Sequence, residues 1–324
     1  MSQVTDVYII SGFLGSGKTT VLKRLVEDSQ LKGKKVGIIL NELGDTNVES
    51  HLFKTEKMVE LLNGCICCSM QEDLKLTLNQ FIDNSVDILL IEGTGVANPS
   101  EIVEAITAPV YIDHFAIRSI ISLVDASQYL EYQSIFSSSK EIRTLLKEQI
   151  NCASLIVLNK TDLVTEKKLE KILASIRKTT SVETPIIKST FGDVAMNELL
   201  LSRVQTLELT KEAEQPTCSC HSDDCNHKHD HQHATLKAVK LTDVPKFTKK
   251  EFEAWLKQLP NDVIRGKGII TFNDGATAYS FQYSSGRLYV EEVETSQPSI
   301  IILIGDRLDS ERIKESYRLL LQNK

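Results

Sequence analysis

Residues 12–19 read Gly-Phe-Leu-Gly-Ser-Gly-Lys-Thr, and this octapeptide constrains the fold more than any other part of the chain. It matches the pattern G-x-x-x-x-G-K-[ST], follows a β-branched run at Val7–Ile10 and opens a helical pattern at Thr19–Glu27. Glycines let the backbone curl so that successive N–H groups face one centre, and the helix N-terminus adds its positive end. The octapeptide therefore predicts a phosphate-binding loop between a strand and a helix.

The side chains of this loop have distinct expected tasks. The predicted nucleotide-binding residues here are Gly12, Gly15, Ser16, Gly17, Lys18, Thr19 and Thr20. Lys18 is expected to reach the β- and γ-phosphates, and the Thr19 hydroxyl is expected to ligate Mg²⁺. Glu92 ends an apolar run and begins Glu-Gly-Thr-Gly95, which has the spacing of the GTPase D-x-x-G switch. We therefore expect Lys18, Thr19 and Glu92 to be catalytic, and the Gly95 N–H to face the γ-phosphate.

The tetrapeptide Asn159-Lys-Thr-Asp162 predicts the choice of base. The carboxylate of Asp162 would accept from guanine N1–H and the 2-amino group, whereas adenine would leave a buried acid unpaired. The aliphatic stem of Lys160 would pack on the base. Lys188-Ser-Thr190 follows a further strand pattern and could supply a backbone contact to the base. The pattern favours GTP over ATP.

The alternation of strand and helix patterns predicts the fold class. Over the first two hundred residues, β-branched runs alternate with helical runs, which favours a parallel sheet with helices on both faces, as in P-loop NTPases. Residues 236–324 contain helix patterns at both ends of a set of strand patterns and predict a smaller C-terminal α+β domain. The expected organisation is a GTPase domain at 1–208, a mobile Cys/His-rich insert at 209–235 and the α+β domain at 236–324.

Composition excludes several classes of function. The net charge is −7, so there is no bulk positive charge for nucleic acid or an anionic membrane. No apolar run approaches the roughly 18 residues that a bilayer-spanning helix needs. The first residues lack a basic stretch and a cleavable apolar segment, and six of the seven cysteines fall into two clusters. These features predict a cytoplasmic protein in which thiols do metal or redox work.

The first cluster contains three cysteines within four residues, at Cys65, Cys67 and Cys68. Thiolates select Zn²⁺ or related soft and borderline ions, and Gly64 permits the sharp turn that would bring them together. The open fourth position could be filled by Glu42, Asp45 or a ligand of a client protein. The cluster lies between the candidate switches at 41–50 and 92–95, so a bound ion could sense the γ-phosphate. Buried small hydrophobes and a redox pair are the alternatives.

The second cluster is rich in histidine as well as cysteine. Its potential ligands are Cys218, Cys220, His221, Cys225, His227, His229, His231 and His233. Imidazoles beside thiolates bind Zn²⁺, Co²⁺ or Ni²⁺, and a polar segment of this kind cannot bury a core. We expect a secondary, loose site that raises the local metal concentration. A polar linker that happens to be histidine-rich is the alternative.

Together these segments resemble the CobW-type family of metal-chaperone GTPases, which includes zinc chaperones, a cobalamin-pathway member and nitrile hydratase activators. The resemblance runs through GFLGSGKTT, NELGD, NGCICC, EGTGVANP and NKTD, and through WLKQLPNDVIRGKG and IGDRLDSERI near the C-terminus. Three positions depart from the usual pattern. Gly93 stands where a hydroxyl residue is usual, Asp45 replaces a Glu, and Gly266 replaces the alanine of R-A-K-G.

The resemblance, taken with these residues, implies a GTP-hydrolysing metallochaperone that binds zinc through the CxCC loop and delivers it to a client metalloprotein. A cobalt chaperone for cobalamin synthesis or nitrile hydratase is one alternative, and a regulatory GTPase with structural zinc is another. No internal water-positioning glutamine or arginine finger stands out, so intrinsic turnover is expected to be slow. The C-terminal domain would dock a client or a second subunit, or cover the nucleotidase domain. The sequence therefore leaves open whether the chain forms a homo-oligomer.

Overall fold

The structure is a computed structural model that divides into two compact units, residues 1–205 and 206–324. It describes residues 4–28, 33–40, 58–61, 70–93, 95, 97–209, 236–260, 262–273, 275, 277–284, 286–306 and 308–322. The predicted metal ligands Cys65, Cys67, Cys68 and Glu42 lie outside these ranges, as does the whole second cluster at 218–233.

The first unit contains a seven-stranded sheet in which every pairing is parallel. Its strands are β1 Thr5–Gly12, β2 Val36–Leu40, β3 Met58–Leu61, β4 Ile88–Glu92, β5 Phe115–Asp125, β6 Leu155–Asn159 and β7 Ile186–Lys188. Their order across the sheet is β3-β2-β4-β1-β5-β6-β7. Such strands, buried on both faces, consist of near-continuous aliphatic runs, because helices cover each face.

The helices of this unit lie on both faces, as the sequence predicts. They are α1 Lys18–Glu27, α2 Met70–Asp83, α3 Pro99–Ile106, α4 Tyr129–Gln133, α5 Lys140–Asn151, α6 Glu166–Arg177 and α7 Met196–Leu199. On one face Leu22 and Leu25 of α1 pack in a cluster with alternate residues of the central strands. On the other, Ile150 of α5 and Ile172 of α6 pack with Leu158. The prediction of a parallel α/β sheet is confirmed.

The winding of this sheet determines where a ligand can bind. The chain leaves the central strand β1, forms β2 and β3 on one side, returns to β4, and then builds β5 to β7 on the other side. Ligands of open parallel sheets bind beyond the carboxyl ends of the strands, where the winding changes direction. The loops that follow β1, β4, β6 and β7 therefore share one edge.

The second sheet is the framework of the C-terminal unit. Its strands are β8 Val204–Leu209, β9 Leu236–Leu241, β10 Val263–Thr271, β11 Ala278–Ser284, β12 Arg287–Val293 and β13 Ile300–Asp306, in the order β12-β11-β10-β13-β9-β8. The four pairings from β12 to β9 are antiparallel. Two helices accompany it, α8 Lys249–Gln258 and α9 Ser310–Gln322. This arrangement confirms the predicted α+β domain.

One face of the second sheet carries an aromatic core beneath the two helices. Phe252 of α8 lies with its ring centroid 4.9 Å from that of Phe281 on β11, in an edge-to-face arrangement. Trp255 packs in the same cluster as Tyr317 of α9, and its Nε1 donates to Ser316 Oγ at 3.0 Å. A capping box between Thr248 and Glu251 begins α8. Among the helices in the described ranges, none has the length and apolar composition of a bilayer-spanning segment.

Two glycines of β10 differ in the space around them, and this difference generates a stability prediction. A Cβ on Gly268 would lie 1.9 Å from the Ile300 carbonyl oxygen, so the neighbouring strand would have to move. We expect Gly268→Ala to lower the free energy of unfolding of the full chain by about 2–3 kcal/mol, measured by urea denaturation.

Gly266→Ala is the matched control. The nearest atom to a Cβ there would be Leu303 Cδ2 at 3.1 Å, at the end of a side chain that can adjust, and the next, Tyr283 Cβ at 3.5 Å, is at an ordinary contact distance. Because alanine also reduces the entropy of the unfolded chain, its effect should stay within about 1 kcal/mol. Equal destabilisation by the two substitutions would contradict the close packing of β10 on β13.

Candidate functional site

The phosphate loop after β1 contains three glycines with positive φ. Gly12, Gly15 and Gly17 have φ values of 138°, 75° and 102°. These backbone conformations are unfavourable for residues that carry a Cβ. A Cβ on Gly12 would also lie 2.3 Å from the Leu123 carbonyl oxygen. The loop is therefore held close to β5, and its curvature depends on glycine.

Polar groups inside the loop fit a phosphate. Ser16 is fully buried, and its Oγ has no hydrogen-bond partner in the described part of the chain. A buried hydroxyl of this kind points to a ligand, because an unpaired polar atom is costly. Lys18 begins α1 and is buried, with Nζ 3.4 Å from the Phe13 carbonyl oxygen. The ammonium and the first N–H groups of α1 thus converge on the loop.

Hydroxyl and carboxylate oxygens lie side by side below this loop. Thr19 Oγ1 donates to Glu92 Oε1 at 3.1 Å, although the two residues are 73 positions apart in sequence. Glu92 ends β4, and the next N–H, that of Gly93, donates to the Ile10 carbonyl on β1 at 2.9 Å. Such oxygens are the ligands that Mg²⁺ prefers. The donor set therefore fits a magnesium ion beside a phosphate.

The segment after β4 touches the phosphate loop directly. A Cβ on Gly95 would lie 2.7 Å from the Leu14 backbone nitrogen, so only glycine allows this approach. Glu92 and Gly95, which the sequence pairs in one switch pattern, thus both contact the segment 12–19. At the start of α1, Thr20 is exposed and lies beside the loop that follows β7, 3.6 Å from the position of a Cβ on Gly192.

Asn159, at the end of β6, joins three loops through one buried side chain. Its Nδ2 donates to the Ser16 carbonyl oxygen at 2.9 Å. Its Oδ1 accepts from the Gly192 N–H, also at 2.9 Å. The first residue of the predicted base-recognition segment therefore binds the phosphate loop on one side and the loop after β7 on the other.

Lys160 has an uncommon backbone conformation, and its side chain pairs with a buried acid. Its φ is 59°, and its Nζ lies 2.6 Å from Asp125 Oδ2 at the end of β5. The Asp125 side chain is 7% exposed, and its Oδ1 accepts from both Ser127 N and Ser127 Oγ. Burial works to raise the pKa of this carboxyl, but the hydrogen bonds from Lys160 and Ser127, with the lysine charge, outweigh it and hold the pKa below its usual value.

The loop after β7 lies against the base-recognition segment. Thr161 donates to the Ser189 carbonyl oxygen through both its N–H, at 3.2 Å, and its Oγ1, at 3.1 Å. Asp162 follows in a short 3₁₀ helix and is exposed. Lys188–Thr190 is therefore adjacent to Asn159–Asp162, and Phe191, with a φ of 52° and a ring that is 76% exposed, extends from the same loop.

The described residues contain no group of three or more His, Cys, Asp or Glu side chains that could hold a metal ion. The predicted metal ligands are not among them: Cys65, Cys67, Cys68, Glu42 and the cluster at 218–233 all fall outside the described ranges. Their assignment stays a prediction. Cys152, which the sequence leaves isolated, is the C-cap residue of α5.

Two buried polar residues of this site escape the sequence motifs. Asp125 ends the apolar strand β5, and an acid at the end of a buried strand is a sequence signal that could identify it. Gln149 is fully buried on α5 and donates to the carbonyl oxygens of Gly95 and Ala97. Its only signal is an amide among the apolar positions of an amphipathic helix.

Several known proteins are similar to this chain, among them the following three. The zinc chaperone CobW of a Sinorhizobium species is 30% identical over 217 residues, which is 59% of this chain and 61% of that protein. The zinc-regulated GTPase metalloprotein activator 1 of Dictyostelium discoideum is 31% identical over 228 residues, 60% of this chain and 47% of that protein. The zinc chaperone YjiA of Escherichia coli (strain K12) is 28% identical over 326 residues, 96% of this chain and 97% of that protein.

Two family descriptions cover both units of the chain. The sequence pattern of the CobW/HypB/UreG nucleotide-binding domain matches residues 6–188, which contain the phosphate loop, Glu92, Gly95 and Asn159–Asp162. The pattern of the cobalamin synthesis protein CobW C-terminal domain matches residues 236–320. The resemblance found in the sequence is thus confirmed, and the chain belongs to the CobW/HypB/UreG family.

Proposed function

We propose that this chain hydrolyses GTP and uses that cycle to bind zinc and deliver it to a client metalloprotein. The observation that carries the nucleotide part is the 2.9 Å hydrogen bond from Asn159 Nδ2 to the Ser16 carbonyl oxygen. It connects the loop suited to phosphates with the segment suited to guanine, so one ligand can span both. The names of the relatives support the metal part, since they include zinc chaperones and a zinc-regulated GTPase.

The phosphate end of the site suits a nucleoside triphosphate. Lys18 would bind the β- and γ-phosphates, while the N–H groups of residues 15–19 would bind the phosphate oxygens. Thr19 and Glu92 would hold Mg²⁺, which when bound supplies positive charge to the transferring phosphate. Hydrolysis joins a water oxygen to the γ-phosphorus and breaks the bond to the bridging oxygen. That oxygen keeps the electron pair and leaves with GDP, and the protons of water go to inorganic phosphate and solvent.

The base end of the site suits guanine. Asp162 is exposed at the mouth of the site, where its carboxylate can accept from N1–H and the 2-amino group. The ion pair with Asp125 fixes the Lys160 ammonium, so the lysine stem is set in place before the base arrives. The backbone of Lys188–Thr190 lies within reach because Ser189 is hydrogen-bonded to Thr161. These three elements together favour GTP over ATP.

The order of the strands supports coupling between nucleotide and metal. β3 ends at Leu61, four residues before Cys65, and its parallel neighbour β2 pairs with β4, which ends at Glu92. The carboxyl end of β3 is thus two strand spacings, about 10 Å, from that of β4. Four extended residues span up to about 14 Å. Thiols at 65–68 could therefore respond to the γ-phosphate across this edge.

Replacing Asp162 tests the preference for guanine. In Asp162→Asn the NH₂ group of the new amide would face the 2-amino group of guanine, and two donors cannot form a hydrogen bond. GTP affinity should therefore fall by about 100-fold. XTP carries a carbonyl at that position and should bind the variant more tightly than GTP does. Competition binding with GTP, XTP and ATP measures this change. An unchanged preference for GTP would show that base recognition lies elsewhere.

Replacing Asp125 tests whether the fixed lysine matters. Asp125→Asn keeps the shape and the acceptor for Ser127 but removes the charge opposite Lys160. We expect the affinities for GTP and GDP to fall together by about 5–10-fold, since a charged hydrogen bond of roughly 1.5 kcal/mol is weakened. kcat at saturating GTP should change little, because the ion pair is remote from the γ-phosphate. Steady-state kinetics measures kcat, and nucleotide titration measures the affinities for GTP and GDP.

The same ion pair predicts a pH dependence of stability. The pKa of Asp125 is lowered in the folded protein. Its contribution is therefore present above the unfolded pKa of about 3.9 and is lost as the pH falls through the folded value. The Asp125→Asn variant lacks that contribution at every pH. The difference in unfolding free energy between the two proteins should be larger at pH 7 than at pH 3.

Titration of Zn²⁺ into the apo, GDP-bound and GTP-analogue-bound protein tests the metal cycle. A coupling free energy of about 1–3 kcal/mol would separate the affinities by 5–150-fold, and zinc must then change GTP affinity by the same factor. Cys67→Ser should weaken the tight site and leave GTP binding intact. Cys152→Ser is the matched control, since that residue caps the C-terminus of α5 and should not affect zinc.

Three outcomes of this titration would point elsewhere. Equal zinc affinities in all three forms would exclude a delivery cycle. Zinc that resists a chelator in every nucleotide state would indicate a structural ion in a regulatory GTPase. A strong preference for Co²⁺ over Zn²⁺, measured in the same way with the Cys/His-rich segment intact and deleted, would favour cobalt delivery.

A further inference from the structure

A fully buried glutamine on α5 contacts the switch segment, which we define as residues 92–98. Gln149 is 0% exposed, and its Nε2 lies 3.3 Å from the Gly95 carbonyl oxygen and 3.2 Å from that of Ala97. A carbonyl can only accept, so the NH₂ group must face these two oxygens. One side-chain amide therefore binds the backbone on both sides of residue 96. Thr94 and Val96 themselves lie outside the described residues.

The acceptor end of the same amide indicates why a polar side chain occupies this buried position. Gln149 Oε1 is buried and has no hydrogen-bond partner within the described ranges. Leaving a buried acceptor unpaired is costly, and an apolar side chain would avoid that cost. What an apolar side chain could not do is donate to two backbone carbonyls. Within the described part of the chain, the hydrogen bonds of this amide thus all go to the switch segment.

The next residue along α5 makes a second contact with the switch segment. Glu148 Oε2 accepts from Asn98 Nδ2 at 2.8 Å. Asn98 Oδ1 in turn accepts from Ser100 N and Ser100 Oγ, and so caps the N-terminus of α3. Two consecutive residues of α5 therefore hold the segment between Gly95 and the beginning of α3.

Both sides of Gly95 are fixed by rigid parts of the unit. Its Cα faces the phosphate loop, where a Cβ would lie 2.7 Å from Leu14 N, and its carbonyl faces Gln149. On the α5 side, Leu146 and Ile150 pack in the core cluster with Val124 and Leu158 of the central strands. Gln149 thus transmits the position of a well-packed helix to the peptide that precedes residue 96.

We propose that Gln149 is a positioning residue for GTP hydrolysis: by holding the Gly95 carbonyl it limits the backbone rotation of Gly95, whose N–H would face the γ-phosphate, and Glu148 supports the same segment. The inference rests on the proposed GTPase function. The orientation should matter only for a ligand with a γ-phosphate, because Glu92–Gly95 has the spacing of the GTPase switch that meets this phosphate, and Gly95 lies against Leu14 of the phosphate loop. GDP binding should therefore be almost independent of Gln149, whereas binding of a GTP analogue and turnover should depend on it.

The test compares Gln149→Met with Asn151→Met. The first keeps the length of the side chain and removes the donor, and the second removes an exposed amide from the same helix. For Gln149→Met we expect kcat to fall about tenfold and the affinity for a non-hydrolysable GTP analogue to fall about fivefold, with GDP affinity within about twofold of wild type. Asn151→Met should behave as wild type in all three measurements.

The outcomes separate a positioning role from a structural one. If GDP and analogue affinities fall in parallel with the melting temperature, Gln149 only stabilises the fold and the proposal is overturned. Normal kcat in a folded Gln149→Met also overturns it. If that variant does not fold, Glu148→Ala decides, because its side chain is exposed. It should lower kcat about threefold without changing the melting temperature, and no change would refute the proposal.

The proposed GTPase function is judged separately on the wild-type protein. If the wild-type protein does not hydrolyse GTP, both ideas fail. If it hydrolyses GTP and Gln149→Met does so equally well, only the role of Gln149 fails.

Discussion

The buried carboxamide of Asn159 is the contact on which the nucleotide edge of this protein depends. Its nitrogen binds the Ser16 carbonyl and its oxygen binds the Gly192 N–H, so the loops after β1, β6 and β7 meet at one side chain. Only an amide offers a donor and an acceptor on a planar group of this size. A Cβ on Gly17 would lie 2.6 Å from Asn159 Nδ2, so the glycine and the asparagine require each other.

Around this contact, a second set of polar residues acts from behind the groups that would touch the nucleotide. Asp125 fixes the Lys160 ammonium, and Gln149 donates to the Gly95 carbonyl. Both are buried, and a low local dielectric strengthens such contacts while making their loss costly. Their elements, β5 and α5, belong to one core cluster on a single face of the sheet. That face therefore supports both the base end and the γ-phosphate end of the site.

The sequence predicts those parts of the site whose chemistry is local. Lys18 follows directly from the spacing of the loop glycines, because one strand–loop–helix unit contains every residue involved. Asp125 and Gln149 could not be assigned in this way. Their partners, Lys160 and Gly95, lie 35 and 54 positions away, and only the order of the strands and the packing of α5 bring them together.

The same reasoning explains which elements of the fold were predicted. Long aliphatic strands such as β4 are evident from composition, since helices cover both of their faces. The four-residue strand β3 and the six-residue strand β8 are not evident from the sequence in this way. A short edge strand has almost the same pattern whichever sheet it joins, and β8 pairs in the second sheet although it precedes residues 210–235.

The rigidity of the central sheet limits how a metal signal could reach the nucleotide. Most residues of β1, β4 and β5 are buried, and interiors packed in this way do not deform continuously. Loss of the γ-phosphate would therefore move the loops that follow the strands, at the carboxyl edge of the sheet, and not the strands themselves. Gly95 is held there by α5, whereas the chain leaves β3 on the opposite side of β4. In the proposed cycle, coupling between zinc and GTP would then pass through the switch segment, whose movement the hydrogen bonds from α5 would limit.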